Sequence, residues 1–121
     1  MQLSLYQTIG PHHIKQLIHD FYQGVQTDQL LIPMYRDGFA VAEDRLHLFM
    51  MQYLGGPTTY NDQRGHPQLR KRHAHFTMNT ETRTHWLQHM NHAIDLSEML
   101  DEHKQILREY FTKTAEFLTG K

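Results

Sequence analysis

The chain has 121 residues, a formal net charge of −1, 39% hydrophobic and 21% charged residues, a composition that suits one globular domain and excludes a disordered chain or a dedicated nucleic-acid binder. It contains no cysteine, which rules out disulfides, thiolate zinc sites, iron–sulfur clusters and cysteine nucleophiles together. Histidine occurs 11 times, so any metal chemistry must run through imidazole or carboxylate. In chain order, Ser4 to Ile9 is expected to form a short helical turn or two. Gly10-Pro11 then opens a helix in which Ile14, Leu17, Ile18, Phe21, Tyr22 and Val25 form one apolar stripe. Pro11 suits its first position, where a missing N–H has no helical partner to lose. Pro33 and Gly38 bracket a tight corner around Met34 and Tyr35. A helix from about Val41 to Leu54 carries Ala42, Leu46, Phe49, Met50 and Tyr53 on one face, and Gly55-Gly56-Pro57 ends it.

Thr58 to Gln68 is rich in Gly, Pro, Asn and Asp and reads as an unstructured connection, of a length that in a small domain is usually functional. A short helical piece is expected around Leu69 to Phe76. Thr80 is the expected cap of the next helix, which shows Trp86, Met90, Ala93 and Ile94; Arg83 stands three residues on, so no capping box is expected. Ser97 or Asp101 should cap the last helix, whose inner residues are Leu107, Tyr110, Phe111, Thr114, Ala115 and Leu118. No segment alternates with period two and no Asn-Gly hairpin dipeptide occurs, so the fold class is all-α. No apolar run approaches the roughly 18 residues a membrane helix requires. The opening Met1-Gln2-Leu3-Ser4-Leu5-Tyr6 lacks the layout of a signal peptide, so a cytoplasmic protein with no membrane or nucleic-acid partner is expected.

Four groups of residues can carry chemistry. His85, His89 and His92 share a helix face at spacings suited to a divalent cation, but a solvated polar stripe explains them better. Arg64, Arg70, Lys71 and Arg72 surround His66 and His73, and arginine forks match carboxylate or phosphate groups as well as they make an ordinary charged surface. Tyr22, Tyr35, Tyr53, Tyr60 and Trp86 are aromatic residues with polar tips, and several of them converging would place a polar spot in an apolar pocket. His73 beside Phe76 is on its own a weak signal.

Taken together, Gln52-Tyr53-Leu54-Gly55-Gly56-Pro57, then Tyr60, then Gly65-His66-Pro67-Gln68-Leu69-Arg70-Lys71-Arg72-His73, and at matching distance Trp86-Leu87 and Met90, resemble the group II (type O) truncated haemoglobins. Phe21-Tyr22 and Tyr35 also match, and the likeness runs from about Tyr6 to Leu118. The resemblance implies a two-over-two helical sandwich around one b-type haem, with residues 1–121 as a single globin-like domain. It makes His73 the iron ligand and leaves His66 and His75 aside. It places Tyr22, Tyr35 and Trp86 on the distal side as hydrogen-bonding groups, where Ala42 and Leu46 carry no donor. Arg45, Arg72 and Tyr60 are expected at the haem propionates, and Leu46, Phe49, Met50, Phe76, Met90 and Ile94 around the ring.

The function implied is reversible binding of oxygen, with carbon monoxide and nitric oxide as related diatomic ligands. Polar donors should slow oxygen release, which suits a chemistry site or sensor better than bulk delivery. The family is linked to nitric-oxide detoxification and peroxide chemistry. No flavin domain is evident in the sequence, so a nitric-oxide dioxygenase-like or peroxidase-like activity would draw on an external reductase. A homo-oligomer is compatible with the resemblance. The alternative readings are a non-haem, histidine-rich metal-binding helical protein built on His85, His89 and His92, and an all-α interaction module without a cofactor.

Overall fold

An amphipathic helix is stable only when its apolar stripe is covered, so several such helices in one chain must pack on one another. The structure, a computed structural model, describes residues 3–64 and 79–119. Among the described residues the elements are α1 (Leu5–Ile9), α2 (Pro11–Val25), a 3₁₀ turn (Ile32–Met34), α3 (Phe39–Tyr53), α4 (Thr59–Arg64), α5 (Thr80–Leu96) and α6 (Asp101–Leu118), with no strand. α2 packs against both α3 and α5, and α5 packs against α6. This is a two-over-two helical sandwich.

All six residues of the α2 stripe are buried, and with Leu31, Met50, Met90, Ile94, Leu107 and Phe111 they form the core. α1 is held at both ends. Ser4 and Gln7 form a capping box, each accepting the other's backbone N–H at 3.1 Å. The Tyr6 N–H donates to the Leu54 carbonyl at 2.8 Å, which ties α1 to the end of α3.

Three boundaries differ from the sequence reading. Thr58 to Gln68 is not wholly unstructured, because Thr59–Arg64 is helical and the remainder lies outside the described residues. The reason is tertiary: the Gln52 side chain donates to Asn61 Oδ1 and accepts the Asn61 N–H, both at 3.0 Å, while Tyr60 is buried with its ring edge-on to Phe49. At α5 the cap is Asn79, not Thr80. Thr82 N–H donates to Asn79 Oδ1 at 2.9 Å and Asn79 N–H donates to Thr82 Oγ1 at 2.8 Å, so a capping box exists with threonine in the usual place of Glu or Gln. At α6 neither Ser97 nor Asp101 is the cap; the N-cap position is Leu100. Ser97 closes α5 instead, its hydroxyl donating to the Ile94 carbonyl at 2.8 Å, and Asp101 lies in the first turn of α6, where a negative charge suits the helix dipole. The helical piece expected at Leu69 to Phe76 lies outside the described residues.

Candidate functional site

Three elements bring three polar-tipped aromatic residues together. Tyr22 comes from the buried face of α2, Tyr35 follows the 3₁₀ turn, and Trp86 lies in the second turn of α5. The Trp86 indole N–H donates to the Tyr35 hydroxyl at 3.2 Å. The Tyr22 and Tyr35 rings meet edge to face with centroids 5.5 Å apart. Phe21 stands edge-on to both Tyr22, at 4.8 Å, and Trp86, at 4.9 Å. Phe39 flanks Tyr35 and Phe111 flanks Trp86. The polar tips therefore sit in an apolar frame, as hydrogen-bonded groups in low-dielectric surroundings must.

That frame decides their protonation. Burial raises the Tyr22 phenol well above its ordinary value, and the neighbouring Tyr35 adds to the rise. Burial also raises Tyr35, to about 12, against smaller opposing effects of the hydrogen bonds with Trp86 and Tyr22. Both phenols keep their O–H at any physiological pH and can act as donors.

Beside this group, Ala42, Leu46 and Phe49 of α3 and Leu87 of α5 pack on the core while staying only partly buried. Met50 and Met90 lie deeper and are fully buried. Arg45 forms an exposed pair with Asp37 at 3.1 Å. His73, Arg72 and Phe76 lie outside the described residues, as do His66, His75, Arg70 and Lys71 and the side chain of Arg64. An apolar wall with hydrogen-bond donors at one end fits a flat, largely apolar macrocycle that presents a gas ligand on one side.

The indole N–H has an acceptor within the protein, the Tyr35 hydroxyl. Residues that the sequence reading missed include Phe39, which frames Tyr35, and above all Asp28. The expected solvated stripe of His85, His89 and His92 is only partly that. His85 Nδ1 and His89 Nε2 contact the same oxygen of Asp28, at 2.9 and 2.8 Å, while His92 is exposed. Asp28 lies 57 and 61 residues away along the chain, so no local pattern could have announced it. Burial alone would raise its carboxyl, but hydrogen bonds from His89, His85 and the Leu30 N–H bring it down to about 2. Among the described residues no group of three or more His, Asp or Glu is arranged to hold a metal ion.

The helical sandwich and the polar site within apolar walls are those of a globin, and residues 4–119 match the family model of the bacterial-like globins. The chain is 32% identical over 116 residues to the group 2 truncated hemoglobin YjbI of Bacillus subtilis, covering 96% of this chain and 88% of that one. It superposes with a TM-score of 0.93 on a thermostable hemoglobin from the actinobacterium Thermobifida fusca, at 39% identity and with 98% of each chain covered. It superposes with a TM-score of 0.91 on the truncated oxygen-avid haemoglobin of Bacillus subtilis, at 31% identity, covering 98% of this chain and 100% of that one. The chain belongs to the group II truncated haemoglobins. Its function is haem-based oxygen binding.

Proposed function

We propose that residues 1–121 form one domain holding a b-type haem, with His73 as the iron ligand and Tyr22, Tyr35 and Trp86 as hydrogen-bonding groups on the opposite, gas-binding side. The observation that carries this reading is the meeting of three donors from three separate elements inside an apolar frame. Haem, when bound, supplies the open coordination position at which a diatomic gas is held. The chain supplies the rest. Leu46, Phe49, Met50, Phe76 and Met90 exclude water from the ring. Arg45, Arg72 and Tyr60 hold the propionates. The Arg45–Asp37 pair is exposed, and such pairs contribute little, so its guanidinium is readily given to a carboxylate with better geometry.

Trp86 and the two tyrosines retain the gas by donating hydrogen bonds, each worth about 0.5–1.5 kcal/mol. Oxygen, the most polar of the common diatomic ligands when bound, gains most, and carbon monoxide less. The Bacillus subtilis relative is described as oxygen-avid, which agrees with slow release here. The same donors support a nitric-oxide dioxygenase-like or peroxidase-like activity with electrons from a separate reductase. A cytoplasmic location and self-association belong to the same proposal. The reading of His85, His89 and His92 as a non-haem metal site is not favoured, since the first two direct a nitrogen at Asp28.

The deciding experiment is a visible spectrum of the purified protein followed by stopped-flow oxygen release. A Soret band with slow release supports the proposal. Absence of haem after expression with ample haem supply overturns it.

A further inference from the structure

A polar contact outside the aromatic cluster joins the parts of the chain that carry Tyr35 and Trp86. Tyr35 and Trp86 belong to different parts of the chain, and a hydrogen bond between them requires the loop after α2 and the helix α5 to keep a fixed register. Asp28 stands in that loop. Its Oδ1 accepts the Leu30 N–H at 3.0 Å, and its backbone carbonyl accepts the N–H groups of Leu31 and Ile32, each at 3.0 Å. From there the 3₁₀ turn runs directly to Tyr35, whose own N–H donates to the Ile32 carbonyl at 3.2 Å. The other carboxylate oxygen of Asp28 meets His85 Nδ1 and His89 Nε2, which stand one residue before and three residues after Trp86 on α5. A carboxylate only accepts, so both nitrogens donate to it.

His89 is seated by a second feature. Gly24, in the last turn of α2, lies so close to its ring that a Cβ there would come within 2.6 Å of Nδ1. Only glycine lets the imidazole approach α2 and reach Asp28 in the observed geometry.

We propose that Asp28, through His85 and His89, is a positioning residue that fixes Trp86 against Tyr35 and thereby sets the strength of gas retention. The functional half of this inference rests on the reading that Trp86 and Tyr35 serve the bound gas; the alignment half does not. Asp28→Asn keeps the size of the side chain and an acceptor for the Leu30 N–H, but replaces two charge-assisted bonds by weaker neutral ones in which the amide must donate and both imidazoles must take the opposite tautomer.

Trp86 is the sole tryptophan, so the carbon-monoxide-bound protein gives a single indole N–H cross-peak in a nitrogen–proton correlation spectrum. That peak should shift in Asp28→Asn, and its exchange with water should quicken. His85→Gln, a milder change at the more exposed partner, should move it in the same direction by less. Oxygen release should quicken by about three- to tenfold in Asp28→Asn, with a smaller change for carbon monoxide. In a Trp86→Phe background the same substitution should change oxygen release by less than about twofold, because the group it positions is gone. An unmoved indole peak in Asp28→Asn overturns the inference. So does an equal effect of Asp28→Asn on oxygen release with and without Trp86. If the peak moves while neither Asp28→Asn nor Trp86→Phe alters oxygen release, the alignment stands and the distal role of Trp86 is what fails.

Discussion

At the scale of single residues, the indole of Trp86 is the most informative group. It has one donor and no acceptor; with no gas bound that donor rests on the Tyr35 hydroxyl at 3.2 Å, from which a bound gas draws it. Phe21 and Phe111 pack around its ring, so Trp86→Phe leaves most of the packing in place and removes the N–H. Oxygen release should therefore quicken by roughly tenfold, equivalent to about 1.4 kcal/mol, and carbon monoxide release by less. Stopped-flow measurements of both gases decide it, since equal changes would mean that the ring acts by bulk. Tyr22→Phe should act in the same direction but less predictably, because Tyr35 lies against it and offers a second hydroxyl. On the other side of the site, His73→Ala should lose haem or hold it without firm ligation, whereas His66→Ala and His75→Ala should keep a five-coordinate ferrous spectrum. A spectrum in which only His75→Ala lost axial ligation would move the ligand by two positions. Tyr22, Tyr35 and Trp86 were each legible in the sequence through the resemblance of their surroundings. Their meeting was not, because spacing along a chain says nothing about convergence from three elements.

At the scale of elements, the sequence is clear where a helix is stabilised by its own stripe and obscure where it is stabilised by a neighbour. α2 was evident from six apolar residues in helical register, and all six are buried. α4 was hidden, because what holds it is a pair of side-chain bonds from Gln52 to Asn61 and the burial of Tyr60. The cap of α5 was misplaced by one residue because Asn79 and Thr82 form a capping box with a hydroxyl in place of the expected long side chain. Asn79→Ala removes the acceptor for the Thr82 N–H and should cost about 1 kcal/mol, read as a lower midpoint in urea unfolding with an unchanged slope. The docking of α1 has its own weak point. A Cβ on Gly56 would come within 2.6 Å of two atoms of the Tyr6 ring, in a place where that ring is tethered by its own backbone bond to Leu54. Gly56→Ala should displace Tyr6 and cost about 1–3 kcal/mol. An unchanged melting temperature would show that Tyr6 yields without loss.

At the scale of the whole molecule, the sandwich follows from four long helices whose apolar faces must be covered, and α2, with six buried apolar residues, meets both α3 and α5. What ties the two halves beyond this apolar contact is polar and long in range. The Asp28 contacts join the end of α2 to the middle of α5, and they give the fold a dependence on acid whose sign can be worked out. The Asp28 carboxyl ionises at about 2 in the folded protein against 3.8 for an unperturbed aspartate. A group whose folded value is depressed adds stability that is fully present above the unfolded value and is lost as pH falls through the folded one. The contribution of Asp28 should therefore be constant from neutral pH down to about 4 and fade between there and about 2. Asp28→Asn carries no charge to lose. Its stability should lie below that of the wild type at neutral pH, and the gap should close in the same acid window. Equilibrium urea unfolding of the two proteins at matched haem loading, at neutral pH and at two or three points down the acid limb, measures that gap. A difference that stayed constant throughout would mean that the shape of Asp28, and not its charge, joins the two halves.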